Sequence, residues 1–387
     1  RLEKQLEKGL PFVAYRKPEL SETTENTFAF LQEDKAANRL ENFNDSGFVF
    51  APFDDDREEN YLIPADASER LETTYDGFEA EEKDVEQEDV EFPPVQLEKK
   101  ERVAHEELVQ KAVDFIEDGV FKKVVVSRRE KVETQLEAIS IFKTLLKKYK
   151  NAFVYLWFHP ETDTWMGATP ETLLSVERNR FSTMALAGTQ AFIDTTDVEW
   201  GEKEKEEQQI VTDFILESLK EVGIEQVETA GPYTARAGNL LHLRTNIIGS
   251  LGPSRGAEHQ RSESSNLKQI VKALHPTPAV CGLPREAAKK FILENENYDR
   301  EFYTGFLGEL NLRTEIKRNN NRRNQENQAY ASILNQTSLY VNLRCLKLDG
   351  GIANIYVGGG ITKDSKPSQE WEETENKSQT MKSVLVK

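Results

Sequence analysis

The stretch YVGGGI at residues 356–361 is predicted to be an apolar strand that ends in three glycines, and a helix is predicted to follow it. Because glycine has no Cβ, this strand lets other groups approach its backbone closely. On the helix, Glu370, Glu373, Lys377 and Met381 are spaced i, i+3, i+7 and i+11 and so share one face. That face could hold a cation and an anion together. The alternative is a solvated helix with a Glu373–Lys377 pair worth roughly 0.2 to 0.5 kcal/mol.

A second predicted helix, residues 202 to 220, carries two further carboxylates. Val211, Phe214 and Ser218 form its apolar stripe, and the same stripe projected backwards reaches Glu207 and Glu204. Buried carboxylates are costly unless they are paired or bound to a metal ion. The alternative is an exposed first turn, where acidic residues favour the helix dipole.

The composition limits the classes of partner. The chain has 387 residues, a net charge of -18 and 30% charged residues, which argues against nucleic acid because phosphate backbones need a basic surface. An anionic substrate in a local basic pocket stays possible. The two cysteines, Cys281 and Cys345, have no metal-binding spacing and predict a reducing compartment. No apolar run approaches the roughly 18 residues that span a bilayer. We therefore expect a soluble, cytoplasmic protein, and the missing heptad pattern favours a monomer.

The chain is predicted to have an N-terminal portion, residues 1–95, and a main body, residues 96–387. An acidic run over residues 76–94 is interpreted as a solvated connector, and a polar segment over residues 317–328 is interpreted as an insertion. Tyr303 and Arg344 fall within apolar runs that predict strands over residues 303–312 and 338–346. A loop rich in proline, residues 275–284, is predicted to form a pocket wall.

Several common motifs are missing. The five histidines show no metal-binding spacing, the three glycines lack the spacing of a dinucleotide loop, and no serine stands in a nucleophile elbow. What remains is four glutamates on two helices, a basic strand start, Arg344 and the loop rich in proline. This set suggests Mg²⁺ that holds an anionic small molecule.

Read together, these features resemble the chorismate-utilising enzymes, the family of isochorismate, anthranilate, aminodeoxychorismate and salicylate synthases. The resemblance rests on eight stretches that occur in the family's order: residues 123–128, 167–174, 186–189, 202–211, 275–279, 299–305, 344–345 and 358–377. It implies an α/β (α+β) fold in which two large antiparallel sheets pack face to face with helices outside. The N-terminal portion would contribute strands to the same body, and residues 96–387 would be the catalytic core.

The resemblance also implies a metal site. Glu207 and Glu373 would bind Mg²⁺ directly, and Glu204 and Glu370 would stand behind them through water. Magnesium prefers few carboxylates together with water and substrate oxygens, which suits this set. The metal would bind the ring carboxylate of chorismate.

The implied substrate contacts come from several stretches. Arg344 and Tyr303 would hold the enolpyruvyl carboxylate. The other implied substrate-binding residues are Gly188, His242, Ala279, Gly358 and Lys377.

For catalysis, the resemblance implies that Lys123 is the general base that activates water for attack at ring C2. Glu171 would be the general acid that protonates the departing C4 hydroxyl, so it must stay protonated, which burial favours. Ala279 stands where ammonia-using and salicylate-forming relatives typically carry threonine, which favours water as the nucleophile. We therefore expect a Mg²⁺-dependent isochorismate synthase of menaquinone biosynthesis. The alternatives are a salicylate synthase, an anthranilate or aminodeoxychorismate synthase, and a non-catalytic chorismate-binding regulator.

Overall fold

A computed structural model describes residues 1–18, 26–54, 56–74, 95–237, 240–251, 263–316 and 332–385. The acidic run 76–94 and the predicted insertion 317–328 therefore lie outside the described residues.

The described residues form seven helices and seventeen strands. The helices are α1 (Leu2–Lys8), α2 (Val95–Glu117), α3 (Ala138–Lys148), α4 (Glu202–Glu221), α5 (Glu263–Leu274), α6 (Arg285–Asn295) and α7 (Pro367–Lys382). The first nine strands are β1 (Phe12–Arg16), β2 (Asn26–Gln32), β3 (Gly47–Ala51), β4 (Tyr61–Pro64), β5 (Ser68–Thr74), β6 (Lys123–Glu133), β7 (Phe153–His159), β8 (Asp163–Thr169) and β9 (Thr172–Glu177). The others are β10 (Arg180–Ala191), β11 (Val227–Ala237), β12 (Leu240–Ser250), β13 (Gly282–Leu283), β14 (Phe306–Ile316), β15 (Ser332–Val341), β16 (Cys345–Asp349) and β17 (Ile352–Ile361). Within the described ranges, no helix is both long enough and apolar enough to cross a membrane.

The described strands form two antiparallel sheets. The first has the order β13-β6-β17-β16-β8-β7-β1-β2-β5, and the second has the order β11-β12-β10-β9-β15-β14-β3-β4. The strands before residue 75 thus enter both sheets, while the division of the chain near residue 95 stays a prediction. Two large antiparallel sheets with helices confirm the predicted fold class.

Aromatic side chains fill the space between the two sheets. The rings of Phe50 and Trp157 lie 4.9 Å apart, and those of Phe153 and Tyr340 lie 4.1 Å apart, each pair joining one sheet to the other. Successive residues of a strand point to opposite faces. In β1, Tyr15 accordingly packs in this inner core, and its neighbour Ala14 packs in the cluster that contains α3 and α7.

Helices cover the outer faces. The apolar side chains of α3 and α7 pack on the first sheet, and those of α4 and α5 pack on the second. Helices α2 and α6 cover the end of the first sheet at β6, where they meet Val124 and Val126. Lys123 and Val125 alternate with these valines, so they face away from the helices and towards a cavity.

Two predicted strands have different bounds, and the difference places two candidate residues. Tyr303 lies in a turn before β14, and Arg344 lies between β15 and β16 with a φ of 48°. Asn342 joins the two regions, because its Nδ2 donates to the carbonyl of Phe302 at 2.8 Å and its N–H donates to the carbonyl of Gly305 at 2.8 Å. The strand prediction was therefore wrong for both residues, since a continuous apolar run conceals a turn that only these long-range hydrogen bonds impose.

Candidate active site

One cavity of about 870 Å³, including the space at its mouth, brings most of the predicted site residues together. It is lined by Lys123, Glu171, Gly188, Glu207, His242, Ala279, Tyr303, Arg344, Gly358, Glu373 and Lys377. Of the predicted set, Glu204 and Glu370 are not among its lining residues.

The sequence analysis assigned no catalytic, substrate-binding or metal-binding role to the remaining lining residues. These are Val125, Pro170, Leu186, Ala187, Thr189, Val280, Thr304, Leu343, Tyr356, Val357, Gly360 and Met381. Most of them are adjacent in sequence to a predicted site residue. That adjacency is the signal that could have found them.

The predicted base lies at the start of β6. Lys123 is buried, and its Nζ lies 2.7 Å from Oε1 of Glu207 on α4. A Cβ added at Gly360 on the neighbouring β17 would clash with that Glu207 oxygen and would lie 2.9 Å from Lys123 Cε. The absence of a side chain at Gly360 therefore creates the space for this pair, as the glycine stretch predicted.

The predicted acid, Glu171, lies between β8 and β9 and is 4% exposed. Its backbone is fixed, since its carbonyl accepts from the N–H of Val341 at 3.0 Å and its N–H donates to Thr169 Oγ1 at 3.3 Å. Burial raises the pKa of Glu171 to about 8, although the charges of Lys123 and Arg344 oppose the shift. The carboxyl group is therefore mostly protonated at pH 7, as a general acid must be.

A guanidinium is held at the cavity wall by an imidazole. Arg344 Nη2 lies 2.7 Å from His242 Nε2, and His242 Nδ1 lies 2.8 Å from the carbonyl oxygen of Gly188. Burial, with Arg344 adding to the effect, lowers the pKa of His242 to about 3, so the ring is neutral. Burial also lowers the pKa of Arg344 to about 10, and the group stays charged at pH 7.

Lys377 and Tyr303 meet at Gly358 on β17. Lys377 Nζ donates to the carbonyl of Gly358 at 2.9 Å and lies 2.7 Å from Glu373 Oε1, the pair that the alternative interpretation of this helix described, although both residues line the cavity. A Cβ at Gly358 would lie 3.0 Å from the hydroxyl oxygen of Tyr303. Burial raises the pKa of Tyr303, so its hydroxyl keeps its proton. Arg344, Lys377 and Tyr303 thus supply donors around one cavity.

Three of the four predicted metal ligands are paired with lysines. Glu207 pairs with Lys123, Glu373 pairs with Lys377, and Glu370 Oε1 lies 2.7 Å from Lys203 Nζ. Within the described ranges, no group of three carboxylate, imidazole or thiol side chains has the geometry to hold a metal ion.

The charges of these lysines act unequally on Glu370 and Glu373. Burial raises the pKa of Glu370, with the charge of Glu373 adding to the effect and Lys203 opposing it. For Glu373 burial also acts upwards, but Lys377, Lys203 and Lys123 bring its pKa below the usual value.

Two observations indicate that a hard cation such as Mg²⁺ would fit beside Glu370 and Glu373. Oε2 of Glu370 is buried without a hydrogen-bond partner among the described residues. A Cβ at Gly359 would lie 3.4 Å from that oxygen and 4.0 Å from Glu373 Oε1, so both oxygens border the same space. Carboxylate oxygens are the ligands that Mg²⁺ prefers. Glu204 is half-buried at the first turn of α4, where its Cβ would lie 3.1 Å from a Cβ at Gly188.

Comparison with known proteins shows which family the chain belongs to. The family model described as chorismate binding enzyme matches residues 13–316, and a second model of the same description matches residues 329–383. The isochorismate synthase MenF of Escherichia coli strain K12 is 27% identical over 292 residues, which are 72% of this chain and 59% of that relative. The isochorismate synthase EntC of the same organism is 28% identical over 297 residues, which are 74% of this chain and 68% of that relative.

A solved structure gives the same result for the fold. The structure of MenF, the menaquinone-specific isochorismate synthase from Escherichia coli, covers 97% of this chain and 88% of its own, with a TM-score of 0.69 and 20% identity. The alignment with the first relative spans less than two thirds of that protein, so it extends over only part of a longer relative. Because the family model matches most of the residues, the chain belongs to the family of chorismate-binding enzymes.

Proposed function

We propose that this protein is a Mg²⁺-dependent isochorismate synthase that converts chorismate to isochorismate for menaquinone biosynthesis. The observation that carries the proposal is the pair formed by Lys123 and Glu171 on the wall of one cavity, with a carboxyl group that is protonated at neutral pH. Water attack at C2 with loss of the C4 hydroxyl needs one base and one acid in the same site. The names of the two relatives support the same reaction.

Different residues of the chain bind the substrate and transfer the protons. Arg344 and Lys377 are cations for the carboxylates of a dianionic substrate, and Tyr303 donates a hydrogen bond from its neutral hydroxyl. Glu171 gives its proton to the leaving C4 oxygen. Lys123 would act in its neutral form and take a proton from the attacking water, and its Nζ lies 2.7 Å from Glu207 Oε1 in the structure.

The metal role belongs to the proposal as well. Glu207 and Glu373 would hold Mg²⁺, with Glu204 and Glu370 nearby, and the ion would supply positive charge for the ring carboxylate of chorismate. The orphaned oxygen of Glu370 supports this role.

Ala279 supports water as the nucleophile. It lines the cavity next to Val280, in the wall that the loop rich in proline forms. A methyl group at this position offers no hydrogen bond to a nucleophile or to the ring, unlike the threonine that we expect in ammonia-using relatives.

The decisive experiment incubates the purified protein with chorismate and Mg²⁺ and separates the products by chromatography. Isochorismate that forms reversibly and disappears with EDTA is the expected result. Salicylate with pyruvate would assign the chain to the salicylate synthases, and fluorescent anthranilate after addition of ammonium would assign it to the anthranilate synthases. Binding of chorismate in a calorimeter with no product after hours would instead indicate a regulator.

Two further parts of the proposal need other tests. We propose a cytoplasmic location, which the two free cysteines, Cys281 and Cys345, support. The route that consumes the product is tested by deleting the gene in its host. Loss of menaquinone is the expected result, whereas loss of a catechol siderophore alone would overturn the menaquinone assignment.

A further inference from the structure

A buried ion pair lies beside the cavity without lining it. Arg300 donates from Nη2 to Glu296 Oε1 at 2.6 Å and from Nε to Glu296 Oε2 at 2.8 Å, and both side chains are 2% exposed. Taking two charges out of water costs more than their attraction returns unless further hydrogen bonds are made. This pair does make further hydrogen bonds, and the segments that they reach show what the pair holds together.

The remaining donors of Arg300 reach three separate segments. Nη2 donates to the carbonyl of Val125 on β6 at 2.7 Å. Nη1 donates to the carbonyl of Val280 in the loop rich in proline at 3.0 Å and to Thr304 Oγ1 in the turn before β14 at 3.2 Å. Together with the two bonds to Glu296, these contacts use all five N–H groups of the guanidinium.

Glu296 extends the connection along β6. Its Oε1 accepts from the backbone N–H of Ser127 at 2.7 Å and lies 2.8 Å from Ser127 Oγ. The ion pair thus holds β6 at two alternate residues, Val125 and Ser127. Lys123 precedes them on the same face of the strand.

Each partner of Arg300 is near a residue of the proposed site. Val125 is two residues after Lys123, Val280 follows Ala279, and Thr304 follows Tyr303. The guanidinium therefore fixes the distances between three walls of the cavity.

We propose that Arg300, held by Glu296, is a positioning residue that sets the placement of Lys123, Ala279 and Tyr303 relative to one another, an inference that rests on the proposed function. It touches no reacting atom. The fork of the guanidinium is required because one ammonium cannot donate in these directions at once.

The test is Arg300→Lys, which keeps the positive charge and a donor for Glu296 but loses the fork. Because misplacement of a catalytic group by about 1 Å costs roughly 100-fold in rate, we expect kcat to fall by roughly that factor. The Kd for chorismate, measured by calorimetry, should change much less, since Arg344 and Lys377 stay in place. A folded Arg300→Lys protein with the kcat of the wild type would overturn the proposal.

Arg16→Lys is the matched control. Arg16 is also buried and also donates to two backbone carbonyls, those of Leu146 at 2.7 Å and Tyr149 at 2.8 Å, but none of these residues lines the cavity. We expect this variant to lose stability in urea unfolding while its folded fraction keeps the kcat of the wild type. An equal loss of kcat in both variants would mean that any buried arginine has this effect, which would overturn the assignment.

Hydrogen–deuterium exchange separates this inference from the proposed reaction. In Arg300→Lys the segments 123–127, 279–283 and 302–305 should all exchange faster than in the wild type, whether or not the protein makes isochorismate. Faster exchange confined to residues 296–300 would overturn the proposal. If the wild type yields no isochorismate, the proposed function fails, and the exchange data still decide whether Arg300 couples the three walls.

A milder variant covers the case in which Arg300→Lys does not fold. Ser127→Ala keeps the ion pair and removes the contacts of Ser127 Oγ to Glu296 and to the hydroxyl of Tyr298. We expect a severalfold lower kcat and faster exchange in residues 123–127, with the overall fold intact by circular dichroism. Unchanged kcat and unchanged exchange in this variant would overturn the proposal.

Discussion

Arg344 donates from Nη2 to Nε2 of His242 across 2.7 Å. Because a guanidinium has no acceptor, Nε2 must be the unprotonated nitrogen, and the ring hydrogen is on Nδ1, which donates to the carbonyl of Gly188. A neutral histidine thus orients a charged arginine without neutralising it. Arg344 stays available for an anionic substrate.

We expect His242→Ala to raise the KM for chorismate roughly tenfold, because it removes a hydrogen bond to a charged group. The kcat should change little, since Lys123 and Glu171 do not contact this ring in the structure. Steady-state kinetics measure both constants. His242→Gln is the control, because its amide can still accept from Arg344, and a KM as high as that of His242→Ala would contradict the orienting role.

Lys123→Ala should reduce kcat at least roughly 100-fold, the effect expected when a general base is removed. The protein should stay folded, because Glu207, the partner left without its lysine, is partly exposed and its carboxylate can be hydrated from the cavity. Product formation is measured by chromatography, and folding is measured by circular dichroism. Turnover near the wild-type rate would exclude Lys123 as the base.

The raised pKa of Glu171 predicts that activity is lost at alkaline pH. With a pKa of about 8, the acid form disappears above that pH, so kcat/KM should fall about tenfold per pH unit on the alkaline side. Glu171→Gln should have low activity without this inflection. An identical alkaline limb in both proteins would assign the titration to another group.

The same shift affects stability. The pKa of Glu171 in the folded protein is above its ordinary value of 4.5, so the stability that its protonated form contributes is present below pH 4.5 and is lost as the pH rises to about 8. We expect the free energy of unfolding to fall less over this range in Glu171→Gln than in the wild type. Urea titrations at pH 5 and pH 8 measure this difference.

Gly360→Ala should reduce activity roughly 100-fold, because the new Cβ would clash with Glu207 Oε1 and displace Lys123. Gly359→Ala, assayed at saturating Mg²⁺, is the comparison on the same strand, since a Cβ there makes ordinary contacts of 3.4 and 4.0 Å with oxygens of Glu370 and Glu373 and does not approach Glu207. Chorismate turnover is measured for both variants. Equal losses of turnover in the two variants would show that activity depends on any side chain added to β17 and not on the space around Glu207.

Removal of divalent ions with EDTA should abolish isochorismate formation, and added Mg²⁺ should restore it. Independently of activity, Mg²⁺ should raise the Tm of the wild type, because an ion that binds only the folded state stabilises it. Glu373→Gln should weaken this rise, since one ligand loses its charge. Full activity in the presence of EDTA would contradict the metal role.

Some of the site was predictable from local patterns. The helix that carries Glu370 and Glu373 follows from its spacing, and the close approach to Gly360 follows from the missing side chain. The eight stretches in family order were enough to indicate the family and the fold class. Each of these patterns lies within one short segment, so it can be recognised without knowing how the rest of the chain folds.

The tertiary structure alone decided how these residues meet. Lys123 pairs with Glu207 from another element, and the apolar runs around Tyr303 and Arg344 end in turns that Asn342 connects. Burial by distant strands and helices sets the proton on Glu171.

The sequence by itself therefore determined the fold class, the family and the set of chemical groups that the site can use. The tertiary structure decided which of these groups pair, which of them are charged, and which walls of the cavity Arg300 joins. The physical reason is that hydrogen bonds, ion pairs and desolvation act through space between segments that are far apart in the chain, whereas sequence periodicity reports only which face of one element is apolar.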